Sequence, residues 1–337
     1  MLSFVYDLQN ITRMYHPQVP LDVDSVFWQD CKRLGCKENV LPLLQVMTNH
    51  LKALREKWNS YKYRFVPWIA VNLRKNERTL RRVKDSSQDK LVPDEEVAAS
   101  LLTLFRDLFK NDLRRQRAVL HLLPDSSRTA YQSPHSNADS LKRSNRHFDP
   151  CEVMLDSFGF CIERKSSSLQ SAGTGVFVAM GMVPKGTTVA MYPGTVYQRY
   201  EPVFFQSICN PFLFRCIDGI LIDGNDKGLS KIVHRSCSGR DRLGPFRLND
   251  ITWLTANPEN PLAVGQYVNN CSNEKAPNVC YQEFDVQDKF PLELRQYLPN
   301  VNYQHDTHLP LRCVVLVALR DIHSGEELFS NYYTIVH

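Results

Sequence analysis

Apolar positions recur at helical spacing in only a few parts of this chain. The clearest run follows Pro93, where Val97, Leu101, Leu104, Phe105, Leu108 and Phe109 line one face of a helix. Asp94, Glu95 and Glu96 fall in its first turn, where carboxylates offset the positive end of the helix dipole. A second, shorter helix is expected over Leu113 to Leu123, stopping at Pro124, which lacks the amide proton needed to continue it. Earlier, Val40 to Leu54 places Leu44, Met47 and Leu51 at the same spacing.

From Pro124 to Pro150 the pattern changes. Ser, Asn, Asp and Pro dominate, apolar periodicity disappears, and a linker or loop is expected. Beyond it come short β-favouring runs bounded by Gly, Pro and Asn: Gly175 to Val178, Thr187 to Met191, Leu213 to Cys216, Ile220 to Ile222, Val279 to Phe284 and Cys313 to Leu319. The GMVPKG stretch at 181–186 makes a tight connection between the first two. Many short strands after a helical segment predict a β-rich α+β fold. The expected organisation is an N-terminal extension at 1–55, a helical, basic and aromatic accessory region at 56–123, a linker at 124–150, and a strand-rich domain at 151–335 with an irregular insertion at 225–261.

Composition narrows the setting. With 337 residues, 43% of them hydrophobic, the chain can bury a core. No run of about 18 uncharged apolar residues exists, so no bilayer-spanning helix is expected, and the first twenty residues lack a basic head followed by an apolar stretch. Ten cysteines contain no CxxC pair, and the histidines form no HxH or HxxxH pair. That pattern reads as reduced thiols in an intracellular protein, nuclear or cytoplasmic, with no metal site. His234, His305 and His308 read as loop residues, and Cys271 as packing.

The formal charge of +5 is unevenly spread: residues 55–120 hold sixteen Lys and Arg against nine Asp and Glu. Its centre, residues 57–82, interleaves Lys57, Lys62, Arg64, Arg74, Lys75, Arg78, Arg81 and Arg82 with Trp58, Tyr61, Tyr63, Phe65 and Trp68. Such a mixture suits nucleic acid, an acidic protein surface or lipid headgroups, but the first expectation is a solvated amphipathic face whose aromatics pack on the rest of the protein. The oligomeric state has no sequence signature.

Alone, the Gly-x-Gly of SAGTGVFV at 171–178 is a common turn. It opens the stretch GTGVFVAMGMVPKGTTVAMYPGTVY, after which FRCIDGILIDG, GQYVNNCSNEKAPNV and LVALRDIHSGEELFSNYY follow in order. This series resembles the successive motifs of the SET-domain family. The resemblance implies a fold of several small sheets with a C-terminal pseudoknot-like closure, preceded here by a helical unit. It also implies an S-adenosylmethionine-dependent methyltransferase acting on a lysine of a histone or another protein. Two alternatives stay open: a catalytically weak or inactive SET-fold interaction module, and a nucleic-acid-associated adaptor working through the basic aromatic segment.

The same resemblance assigns roles. Gly173 and Gly175 match the glycines that let backbone approach the cofactor, where a side chain would fill cofactor space, and Phe177 begins the following strand. Asn269 and Asn270 match the Asn-His pair that holds the cofactor's amino-acid and adenine parts, with Asn270 in place of the histidine. Pro277 and Asn278 match the end of that motif after a short insertion near Glu274 to Ala276. Tyr192, Tyr281 and Tyr332 match the tyrosines of the lysine channel, with Tyr332 between cofactor and substrate; Asn331 replaces the acidic residue often found before it. The cysteine-rich zinc segment that often follows in the family has no counterpart. Lys227, Lys231, Arg235, Arg240 and Arg242 of the insertion either select an acidic peptide or a nucleic-acid-proximal substrate, or form a solvated loop.

Overall fold

In a computed structural model, the apolar stripe after Pro93 becomes helix α1 (Asp94–Asn111), and all six predicted stripe residues are buried. The structure describes residues 90–131, 149–170, 172–208, 210–272, 274–305 and 309–332, with the strand backbones at 62–63, 81–83 and 333–336. The chain divides into two units, 1–59 and 60–337, and the described residues all lie in the second. The helical pattern at Val40 to Leu54 and most of the basic aromatic segment lie outside the described residues. No helix among the described residues is long and apolar enough to cross a membrane.

Helix α2 (Leu113–Val119) follows at once, because the Asp112 side chain accepts from the Arg115 amide and caps it. The expected linker is partly helical. Residues Asp125–Tyr131 form α3, and its last residue explains why: the Tyr131 ring meets Phe109 edge-on at 4.8 Å and its hydroxyl donates to Glu293 at 2.7 Å. Helix α4 (Pro150–Phe158), with Asp149 as N-cap and a proline in its first turn, begins where the expected linker ends. In the accessory region, 62–63 and 81–83 are short strands, β1 and β2, flanking β15 (Tyr333–Val336), where pairing to a C-terminal strand overrides local pattern.

The strands make small sheets, as a β-rich α+β fold requires. Strands β3 (Phe160–Ser166) and β4 (Thr174–Val183) form a hairpin extended by β13 (Ile322–His323). Another sheet runs β11 (Asn300–Asn302), β6 (Gly194–Tyr197), β8 (Leu221–Asp223), β7 (Leu213–Arg215). The largest is ordered β5 (Thr188–Tyr192), β12 (Leu311–Ala318), β10 (Val279–Val286), β14 (Phe329–Ser330), β9 (Asn269–Asn270).

Register divides this last sheet into two faces. Tyr281 pairs with Leu316, Leu316 with Ala190 and Val314 with Tyr192, while Val279 pairs with Ser330 and Ser330 with Asn270. Because side chains alternate along a strand, Tyr192, Tyr281, Ser330 and Asn270 share one face. The neighbouring residue Gln282 belongs to the other face, where its amide accepts from the Leu91 and Val92 amides and donates to the Val92 carbonyl. That clamp seats the start of α1, and Phe105 of the same helix packs on Phe290 and Tyr297.

The chain closes on itself near its end. The Val178 amide donates to Glu326, and the Leu328 amide donates to Val176, which lays residues 326–328 along β4. Two residues later the same segment is β14, between β10 and β9. Asn278 fastens this threading: its side chain donates to the Glu327 carbonyl and accepts from the Phe329 amide, both at 2.8 Å. The asparagine of the third motif's proline-asparagine pair therefore serves the closure.

The insertion at 225–261 contains α5 (Gly228–Arg240). His234 is not a loop residue. It is buried on this helix, where Trp253 Nε1 donates to its Nε2 at 3.0 Å and its Nδ1 faces Thr195 Oγ1 at 3.2 Å. Burial holds the imidazole neutral, with its pKa pushed down to about 3. Several of the basic residues there are engaged: Arg240 pairs with Asp241 and donates to the Asn302 and Tyr303 carbonyls, and Lys231 donates to Leu254.

Candidate functional site

Strand pairing places the site residues at the edge formed by β9 and β14. Asn269 and Asn270 are consecutive in a strand, so their side chains leave on opposite sides. Asn270 Oδ1 accepts from the Tyr332 amide at 2.9 Å. Asn269 Nδ2 donates instead to the Thr174 carbonyl at 3.1 Å and to Glu327 at 3.2 Å. One asparagine thus reaches the tyrosines and the other the glycine-bearing loop.

On the tyrosine side, the Tyr332 hydroxyl donates to the Val268 carbonyl at 2.9 Å, and the Tyr281 hydroxyl points to the same oxygen at 3.4 Å. The Tyr281 ring lies 5.2 Å from Phe214 and 6.2 Å from Tyr192, both in edge-on contact, and Tyr192 is 5.2 Å from Phe214. The Tyr192 hydroxyl donates to the Phe212 carbonyl at 2.7 Å. Burial raises its pKa well above the ordinary value, with Tyr332 and Asp223 adding to the effect. All three tyrosines therefore meet, with Tyr192 and Tyr281 buried and Tyr332 half-buried. Gly224 is required beside them, since a Cβ there would press on the Tyr192 ring.

The glycine side is built from polar contacts. The β3–β4 turn brings Ser167 and Ser168 to the Glu327 carboxylate: both hydroxyls donate at 2.6 Å and the Ser168 amide at 2.8 Å. Burial works against an ionised Glu327, but these bonds and the one from Asn269 outweigh it and hold the carboxyl below its usual range. Gly173 takes φ +74, and nothing lies within 4 Å of where its Cβ would stand, so the loop turns bare backbone outward. Gly175 is small for a different reason than expected. A Cβ there would overlap the Glu327 carboxylate, so the second glycine makes room for a protein side chain. Phe177 lies further along β4, half-buried, with its backbone bridged to Glu327.

Four contributors escaped the sequence pattern: the Val268 carbonyl, Phe214, Glu327, and Tyr267. Tyr267 donates to Asp226 at 2.6 Å and carries the Arg164 guanidinium 5.2 Å above its ring. Phe214 and Glu327 stand inside the recognised motifs, but their contacts are long-range. Among the described residues, one cluster has metal-ligand composition, Cys216, Asp218 and Glu283. Arg312 bridges Asp218, Glu283 and Asp285 there, which makes it an ion-pair network.

Known proteins decide the family. The chain is 60% identical over 295 residues to human SET domain-containing protein 9, covering 85% of this chain and 98% of that one. The chain belongs to the SET-domain family. The protein of the same description from Pongo abelii is also 60% identical, over 77% of this chain and 97% of that one. No family model matches. Among solved structures, Chaetomium thermophilum Polycomb Repressive Complex 2, in an autoinhibited conformation bound to S-adenosylmethionine, aligns over 51% of this chain and 15% of that chain at 18% identity with a TM-score of 0.29. KRYPTONITE, in complex with mCHH DNA, H3(1-15) peptide and SAH, aligns over 51% of this chain and 23% of that chain at 17% identity with a TM-score of 0.27. The chain thus spans a small fraction of both.

Proposed function

We propose that this chain is an S-adenosylmethionine-dependent protein-lysine N-methyltransferase. The observation that carries the reading is the two-sided edge at β9. Asn269 joins the glycine-bearing loop on one side, and Asn270 joins Tyr332 on the other. A transfer between two ligands that enter from opposite sides needs such a partition, with a narrow passage between.

The residues present fit the cofactor at one decisive point: outward-facing Gly173 offers main-chain groups with no side chain in the way. Gly173, Phe177 and Asn269 would hold it. When bound, S-adenosylmethionine supplies an electrophilic methyl group to a neutral lysine amine. The walls of the tyrosine side then account for how that amine becomes neutral. A free lysine ammonium has a pKa of about 10.4. Rings from Tyr192, Phe214 and Tyr281 surround it with apolar surface, and burial disfavours the charged form. The Val268 carbonyl, already receiving the Tyr332 hydroxyl, fixes where that hydroxyl sits and so where the amine can stand. Holding both partners in line removes entropy from the barrier, worth about 7 to 11 kcal/mol at the limit.

The test is direct. S-adenosylmethionine should raise the melting temperature of the full chain, and labelled methyl should transfer to lysine peptides on an array. Absence of any thermal shift at millimolar ligand would sink the reading.

A further inference from the structure

We propose that Glu327 is the positioning residue of the cofactor side, a carboxylate that holds the Gly173–Gly175 loop and Asn269 in register with one another. This rests on the methyltransferase reading above.

The geometry is saturated. Oε1 accepts from Ser167 Oγ and Asn269 Nδ2, while Oε2 accepts from the Ser168 amide and hydroxyl. An ionised carboxylate has acceptor sites only, so it satisfies four donors that no amide or alcohol of similar size would satisfy together. Its charge is consumed internally, which makes it a poor direct ligand for a cationic group and a good organiser.

Two routes connect it to the cofactor face. Along the first, Ser167 is bonded to the carboxylate by its hydroxyl, and its amide donates to the Gly173 carbonyl at 2.8 Å. Along the second, the Asn269 amide group bonds both Glu327 and the Thr174 carbonyl. Gly173 and Thr174 are adjacent, so the two routes end on consecutive peptide units of the glycine loop. The anchor itself cannot drift. Its main chain is bonded to Asn278, its neighbours Glu326 and Leu328 are bonded to Val178 and Val176, and Gly175 leaves the carboxylate its space.

E327Q is nearly isosteric but turns an N–H toward at least one of the four donors. It should weaken S-adenosylmethionine binding at least tenfold by calorimetry. The Ser168 amide should exchange its hydrogen at least tenfold faster in the unliganded protein, while core amides in β10 and β12 keep their protection. S167A/S168A, which retains the carboxylate, should weaken binding in the same direction. G175A, which crowds the carboxylate, should add little to E327Q, because both break one unit. Wild-type affinity in E327Q would overturn the proposal. So would a uniform loss of protection across the core with unchanged affinity of the folded fraction, the signature of a merely structural carboxylate. A wild-type chain that does not bind S-adenosylmethionine would instead remove the methyltransferase reading, and this proposal with it.

Discussion

The two sides of the β9 edge are built by different physics. The glycine side is organised by one carboxylate and the four hydrogen bonds it accepts. The tyrosine side is organised by ring packing among Tyr192, Phe214 and Tyr281, with hydroxyls ending on main-chain carbonyls. Hydrogen-bonded clusters fail abruptly when one charged partner is lost, since the orphaned donors keep their desolvation cost. Packed rings fail in proportion to the volume removed. A fragile polar side suits a surface that must present backbone in one conformation. A stiff aromatic side suits a channel that must exclude water.

The largest effect should come from breaking the aromatic side. F214A removes the ring that touches both Tyr192 and Tyr281, and a loss of about 3–5 kcal/mol of stability is expected by denaturant unfolding. S-adenosylmethionine affinity per folded molecule should change far less if the two sides are independently built. Equal loss of affinity would erase the distinction between them.

Next in size, Y332F removes only a hydroxyl. Methyl transfer should fall about a hundredfold, equivalent to about 2.7 kcal/mol at about 1.36 kcal/mol per tenfold. The melting temperature should move by no more than about 2 °C, because the ring remains. Full activity in Y332F would assign the bond to Val268 a packing role alone.

The smallest effect lies outside both sides and calibrates them. His234 is neutral in the fold, with a pKa of about 3 against 6.5 unperturbed. Below pH 6.5 the unfolded chain binds a proton that the fold refuses, so the stability His234 contributes is complete above pH 6.5. It declines by about 1.4 kcal/mol per pH unit on the way down to about 3. Buried Asp250 runs the other way: burial pushes its pKa up to about 7, so the fold keeps a proton there and gains stability as pH falls toward 3.8. Comparing wild type with H234Q at pH 7 and pH 5 cancels the Asp250 contribution. The wild type should lose more on acidification; parallel curves would show that His234 does not titrate through the fold.

Much of the fold was legible because it depends on local periodicity. The stripe from Val97 to Phe109 specified both α1 and its buried face, and five of the six expected strands end within two residues of the observed ones, whereas β4 runs five residues past its expected end, to Val183. The helices at Asp125–Tyr131 and Pro150–Phe158 escaped for different reasons: the first has the polar composition of a loop, and the second spans only nine residues, too few for a periodic stripe to stand out. In the first, the decisive contacts of Tyr131, with Phe109 and Glu293, are distant in sequence. The same holds for His234, whose partners Thr195 and Trp253 lie in other elements.

The sequence by itself determined the order of motifs, the identity of the three tyrosines, two asparagines and two glycines, and hence the family. Only the tertiary structure decided what those residues touch. Asn269 and Asn270 are chemically identical neighbours, and strand pairing with Phe329 and Ser330 sends them to different sides. Gly175 reads like Gly173 until Glu327, more than 150 residues away, is folded against it. The point where two tyrosine hydroxyls meet is a main-chain carbonyl, a group that every residue carries and that no sequence pattern can mark. Side-chain type is written in the chain, whereas the partner of a backbone oxygen exists only once distant strands are paired.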